Sequence, residues 1–190
     1  VSARREFFAL HGLTPETHYI ASTGIEGTSA DLRASVMMDA YSIAGVRREQ
    51  IQFLAAPDHL CPTHLYDVTF ERGVSIAFQD RKHVLISGTA SIDPSGSIVH
   101  SGDILKQLDR TMENVRALLL QAGATLEDVC MYLAYVRDPS DLTVAQHALE
   151  ERCGGSPLQL VIAHVCRPGW LIEVECQAII AAANPTLPAF

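Results

Sequence analysis

From position 68 onward the apolar positions alternate between two rhythms. Val68–Phe78 and His83–Ser87 carry them at strand spacing, separated by the charged turn Gln79-Asp80-Arg81-Lys82. Asp93-Pro94-Ser95-Gly96 is a turn sequence. Ile104, Leu108, Met112, Val115, Leu119 and Ala122 then recur at spacings of three and four. That spacing predicts a helix, opened by Ser101 or Asp103 and ended by Gly123. Val129–Val136 reads as a strand, and Asp138-Pro139-Ser140-Asp141 starts a second helix that ends near Gly154-Gly155. Leu158–Cys166 and Trp170–Ala182 are the last two strands. The order strand, strand, helix, strand, helix, strand, strand predicts an α+β fold, with helices on one face of a mixed sheet.

The first 58 residues read differently. Val1 to His18 has little pattern, and His18–Gly24 predicts a strand running into a glycine turn. Ser29 or Asp31 would cap a helix carrying Val36, Met37, Ala40, Ile43 and Ala44, with Gly45 as its stop. Ile51–Ala55 predicts another strand. The expected organisation is a partial strand–helix–strand unit over 1–58 and a main domain over 59–190, joined by a polar stretch between Pro57 and Pro62. The chain opens without a Met, so a trimmed, processed or fragmentary chain is expected.

Composition narrows the function. With 48% hydrophobic and 19% charged residues, 190 residues can bury a core and do not describe a disordered chain. A net charge of −8 argues against general nucleic-acid binding. No apolar run approaches the roughly 20 residues that cross a bilayer. The five cysteines are odd in number and widely spaced, without a CxxC pair, which predicts free thiols in a reducing cytoplasm. No phosphate loop, dinucleotide fingerprint or GxSxG elbow occurs, so no nucleotide cofactor or serine-hydrolase chemistry is expected.

The last two strands carry the candidate chemistry. Alternation places Leu171, Glu173, Glu175 and Gln177 on one face and Ile172, Val174, Cys176 and Ala178 on the other. Glu173 and Glu175 would then lie about 7 Å apart on that face. A carboxylate in a dry pocket has a raised pKa and moves protons, whereas the same pair on a wet sheet face is only solvated. His164 and Cys166, two residues apart on one face, fit either a base–nucleophile pair or inert packing. His59, Cys61 and His64 are close in sequence but lack a fixed fourth ligand, so no metal site is expected. Arg72 and Arg167 could clamp a carboxylate or form surface ion pairs.

Four segments carry a family resemblance. They are Ile86-Ser87-Gly88-Thr89-Ala90-Ser91-Ile92-Asp93, Gln107-Leu108-Asp109-Arg110-Thr111-Met112-Glu113-Asn114-Val115, Ala122-Gly123-Ala124-Thr125-Leu126-Glu127-Asp128-Val129 and Pro168-Gly169-Trp170-Leu171-Ile172-Glu173-Val174-Glu175. In order and spacing, from about Val68 to Ala182, they resemble the YjgF/RidA superfamily, once labelled endoribonuclease L-PSP. The resemblance implies a chorismate-mutase-like α+β fold, a homotrimer with clefts between subunits, and no cofactor. Its deaminase branch hydrolyses reactive enamines and imines, with a glutamate moving the proton and an arginine holding the substrate carboxylate. The glutamate falls on Glu173, and the Ser-Gly of the cleft on Ser87 and Gly88. The arginine position falls on Gln159, or on Leu160 with the gap placed differently. Neither is cationic, so the deaminase anchor is absent. The layout also resembles chorismatases, in which a partial unit precedes the complete one and a glutamate protonates or hydrates a cyclohexadiene carboxylic acid. The resemblance thus implies a small carboxylated metabolite as ligand. Glu173 would be the acid, and Ser87, Gly88, Arg72, Arg167, His164, Cys166 and Gln159 would surround it.

Overall fold

The computed structural model describes residues 2–66 and 68–189. Its elements are α1 (Ser2–Leu10), β1 (Ile25–Glu26), β2 (Ile51–Phe53), β3 (Gly73–Ala77), β4 (Arg81–Ala90), α2 (Ile104–Ala122), β5 (Val129–Val136), α3 (Leu142–Arg152), β6 (Leu158–Ile162), β7 (His164–Val165) and β8 (Ile172–Ala181), with short 3-10 turns between some of them. Six strands form one sheet in the order β2-β3-β4-β8-β5-β6. Neighbours are antiparallel except β5 and β6, which are parallel and joined through α3. This is the mixed α+β sheet that the strand and helix rhythm predicts.

The longest helix forms where its apolar spacing and caps require. Asp103 accepts a hydrogen bond from the Lys106 amide at 3.0 Å, and Gly123 ends α2 at φ +81°, a conformation that suits a residue without a side chain. Leu108, Met112, Val115, Leu118 and Leu119 are buried, and α2 packs on β4, β8 and α3. From β8, Ile172, Val174, Cys176 and Ala178 fill the same core, as the alternation of that strand predicts.

A polar line on the buried side of α2 fixes the ends of the two central strands. Gln107 is fully buried; its Nε2 donates to the Gly169 and His100 carbonyls, and its Oε1 accepts from the Leu171 amide. One turn pair further on, Asn114 Nδ2 donates to the carbonyls of Ala90 and Ile92. The helix therefore holds the exit of β4 and the approach to β8.

The N-terminal region departs from its sequence pattern. The expected helix between Ser29 and Ala44 does not form. Leu32, Val36, Met37, Met38 and Tyr41 stand in solvent, so nothing covers the apolar side of such a helix, and a short helix without packing is not stable in water. Asp31 instead closes a local turn with the Arg33 amide at 3.0 Å. The expected strand 18–24 is extended chain with one bridge, Ala21 to Glu71. The sequence gives no sign of α1; its Phe8 is buried through stacking on Tyr19, with the Arg4 guanidinium over the Phe8 ring. The predicted strand Leu158–Cys166 is divided into β6 and β7, and β7 turns away to pair with β1.

Replacing Gln107 by Leu keeps the volume but leaves the Gly169 and His100 carbonyls and the Leu171 amide, each in a partly buried bond, without this partner. The expected cost is about 2–4 kcal/mol of stability, read as a lower urea midpoint at unchanged slope.

Candidate functional site

The site is built on a β-bulge. Between Ile86 and Thr89, β4 carries two residues, Ser87 and Gly88, opposite one residue of β8, Glu175. On the next register Ala90 faces Glu173, and β5 places Leu133 opposite Glu175 and Tyr135 opposite Glu173. Both glutamates therefore lie on the sheet face away from α2 and α3, as the sequence alternation expects.

The bulge leaves room because residue 88 is a glycine. A Cβ at Gly88 would overlap the Glu173 carboxyl and come within 2.6 Å of Thr23 Cγ2. Glu173 is 5% exposed, and burial, reinforced by the nearby Glu175 charge, pushes its carboxyl up to about 7 against the opposing pull of Arg72. Among the described residues none donates a hydrogen bond to that carboxyl. Glu175 differs: Tyr135 Oη donates to its Oε1 at 3.1 Å, and the Thr23 hydroxyl donates to its Oε2. Burial and the Glu175 charge in turn push the Tyr135 phenol upward.

The extended chain over residues 18–24 crosses in front of the bulge as a strap. Glu71 binds it on one side, accepting from the Tyr19 amide at 2.9 Å while its own amide donates to the Ile20 carbonyl. The Ser22 amide donates to Ser87 Oγ at 3.0 Å, and Ser87 Oγ donates on to the Glu71 carbonyl at 2.6 Å. The Gly88 amide donates to Thr23 Oγ1 at 2.8 Å. On the other side Cys166 Sγ donates to the Gly24 carbonyl at 3.1 Å, and β1 pairs with β7. Beneath the strap lies an open cleft of about 120 Å³, with Leu85, Met131 and Leu133 as its apolar floor and Glu175 and Gln177 at its polar side.

The structure brings Glu173, Ser87, Gly88 and Cys166 together around the strap. Cys166 does not form a pair with His164: burial and the Glu173 charge push its thiol upward, which disfavours a thiolate nucleophile. His164 is exposed, with Nδ1 at 3.5 Å from Glu26. Arg72 is buried, with Nη2 donating to the Cys61 carbonyl at 3.0 Å. Arg167 donates to the Gly96 carbonyl at 2.8 Å and lies over the Trp170 ring. Gln159 is exposed on the edge strand β6, its amide turned to the Leu160 carbonyl. Among the described residues no group of three His, Cys, Asp or Glu is arranged to hold a metal, and the His64 side chain lies outside those residues. Sequence reasoning missed Thr23 and Tyr135. The Tyr135 position opposite Glu173 follows only from register, and Thr23 reaches Glu175 from 152 positions away.

Residues 71–180 match the profile of the endoribonuclease L-PSP family, and the chain belongs to that family, the YjgF/RidA group of folds. A RutC family protein from Pyrococcus abyssi is 32% identical over 96 residues, covering 50% of this chain and 76% of the relative. The 3-aminoacrylate deaminase RutC of Acinetobacter baylyi is 29% identical over 100 residues, covering 50% and 77%. Among solved structures, RidA from the Antarctic bacterium Psychrobacter sp. superposes with a TM-score of 0.57 at 21% identity, covering 68% of this chain and 99% of that one. A chorismatase superposes with a TM-score of 0.72 at 21% identity, covering 92% of this chain and 55% of that one. The larger share includes residues outside the 71–180 match, so the fold likeness extends into the N-terminal region. Among the described residues no helix is long and apolar enough to cross a membrane.

The Glu173 carboxyl binds its proton more tightly in the folded chain than at the ordinary value of 4.5. Its contribution to stability is therefore full below pH 4.5 and is lost as pH rises toward about 7. That gap corresponds to about 3 kcal/mol. The stability difference between wild type and Glu173→Gln, from urea unfolding at a series of pH values, should shrink or reverse by this amount across the window.

Proposed function

We propose that the chain is a cofactor-free hydrolase of small carboxylated metabolites, with Glu173 as its acid/base. The observation that carries this reading is the buried Glu173 carboxyl beside Gly88, raised to about 7 and thus able both to give and to take a proton near neutrality. Substrates that suit such a group are unsaturated acids bearing an enamine or enol-ether carbon. Glu173 protonates that carbon, a C–H bond forms, and positive charge develops on the neighbouring nitrogen- or oxygen-bearing carbon. The Glu173 carboxylate then takes a proton from water as the water oxygen adds, and collapse of the adduct releases the amine or alcohol. The chorismatase likeness favours the enol-ether, cyclic-acid version of this chemistry, because it covers 92% of the chain and so extends beyond residues 71–180. On this reading residues 1–58 form a partial unit whose extended chain walls the cleft of the unit that follows.

The cleft of one chain is lined by no lysine or arginine among the described residues, and Arg72 and Arg167 are bound to backbone carbonyls. A substrate carboxylate next to Glu175 needs a cation. A cleft shared between the subunits of a homotrimer, as the family resemblance implies, would offer one from a neighbouring chain, and native mass spectrometry tests that assembly directly.

The decisive assay incubates the protein with enamine, enol-ether and cyclic unsaturated acids and follows product by NMR. Wild type should turn over at least one class. Glu173→Gln should lose on the order of 100-fold or more in kcat while still binding and assembling. A ligand that binds wild type without turnover, and equally well the Gln variant, would make the chain a small-acid binding protein.

A further inference from the structure

We propose that the strap over residues 18–24 is a gate: its Thr23 end lifts, on a hinge at its Tyr19 end, and opens the way from the cleft to Glu173. The proposal rests on Glu173 being the acid of the site.

With the strap seated, the cleft leads to the other glutamate. Ser22, Thr23 and Glu175 line it, and Glu173 does not. Glu173 is buried. The space at Gly88 shows what covers it. A Cβ there would meet both the Glu173 carboxyl and the Thr23 methyl, so the two groups lie side by side against the bulge. Proton transfer needs the carboxyl within about 3 Å of the reacting atom. A molecule confined to the cleft beneath the strap touches Glu175 and Thr23 but not Glu173, and moving the Thr23 end uncovers the acid.

The two ends of the strap are held differently. At one end Tyr19 is buried and stacks on Phe8 at 5.9 Å, and the His18 ring stacks on Phe53 at 4.0 Å. Glu71 adds two hydrogen bonds there, from the Tyr19 amide and to the Ile20 carbonyl. The other end is held by polar contacts. These are the Ser22 amide on Ser87 Oγ, the Gly88 amide on Thr23 Oγ1, the Thr23 hydroxyl on Glu175, the Cys166 thiol on the Gly24 carbonyl, and the two-residue pairing of β1 with β7. Ile25 of β1 is 39% exposed, so it anchors little. Groups released at the polar end find water, whereas release of the Tyr19 end exposes apolar surface. A segment held this way opens from its polar end. Residues 27–47, which follow β1, form neither helix nor strand, so lifting β1 displaces no further element.

Hydrogen exchange in the wild-type chain tests the hinge without any substrate. The Ser22 and Gly88 amides, whose bonds cross the gate, should exchange roughly 10-fold or more faster than the Tyr19 and Glu71 amides, after correction for intrinsic rates. They should also exchange roughly 100-fold or more faster than the amides paired between β4 and β8. One common rate for these four amides, or for strap and sheet, overturns the proposal. A staple on the moving end then tests the gate. Glu26 and His164 face each other across β1 and β7, at a spacing that suits a disulfide. In Glu26→Cys/His164→Cys, with Cys130→Ser to remove an exposed competing thiol, oxidation pins β1, and peptide mapping confirms the bond. A water-soluble carbodiimide with an amine reads access to the acid at fixed pH. Labelling of Glu173 should fall roughly 10-fold or more on oxidation and recover with reductant, while exposed Glu127 labels equally in both states. Turnover of an acid accepted by wild type should fall and recover with the labelling. Equal labelling of Glu173 with and without the staple overturns the proposal, and so does turnover that persists when the staple blocks labelling. If exchange and labelling behave as expected but no acid is turned over, or Glu173→Gln keeps full turnover, the hydrolase reading falls and the gate stands.

Discussion

Gly88 has no side chain, and the Glu173 carboxyl occupies the volume where one would be. Everything at the site follows from that approach. The carboxyl loses water on the side of the β4 backbone, which raises its proton affinity. The bulge that places Ser87 and Gly88 opposite Glu175 also turns the Gly88 amide away from β8 and toward the strap, where Thr23 accepts it. A regular strand here would pair with β8 and leave neither the space nor the free amide.

The position of that bulge is itself held from behind. Asn114 grips the carbonyls at and just beyond the end of β4, and Gln107 grips the backbone just before β8. Both belong to α2, so one helix sets how far each central strand runs before its site residues are reached. The family motif around Gln107 and Asn114 is thus explained by backbone geometry rather than by chemistry in the cleft, which lies on the opposite face of the sheet.

The N-terminal region does what its local pattern does not announce. Its apolar positions between Leu32 and Tyr41 carry helical spacing, yet they stand in solvent. Its polar residues Ser22 and Thr23, unremarkable in sequence, reach the centre of the site. Local spacing states a preference for helix, but a short helix needs a surface to cover, and the chain offers none there. Conversely, a hydroxyl becomes a site residue through a contact spanning most of the chain, and no local pattern encodes such a contact.

The sequence by itself determined the α+β class, the sheet-borne faces of the last strand, the caps of α2 and the prominence of Glu173. These depend on periods of 2 and 3.6 and on residue types whose effects are local, so they can be read along the chain. Tertiary structure alone decided which of the candidate residues meet. It drew Cys166 to the strap and left His164 exposed, and it committed Arg72 and Arg167 to backbone carbonyls. It also gave Glu173 and Glu175 different surroundings. The two are equivalent by alternation, and only register, a bulge and a strap from the far end of the chain give one of them two hydroxyl partners and the other none.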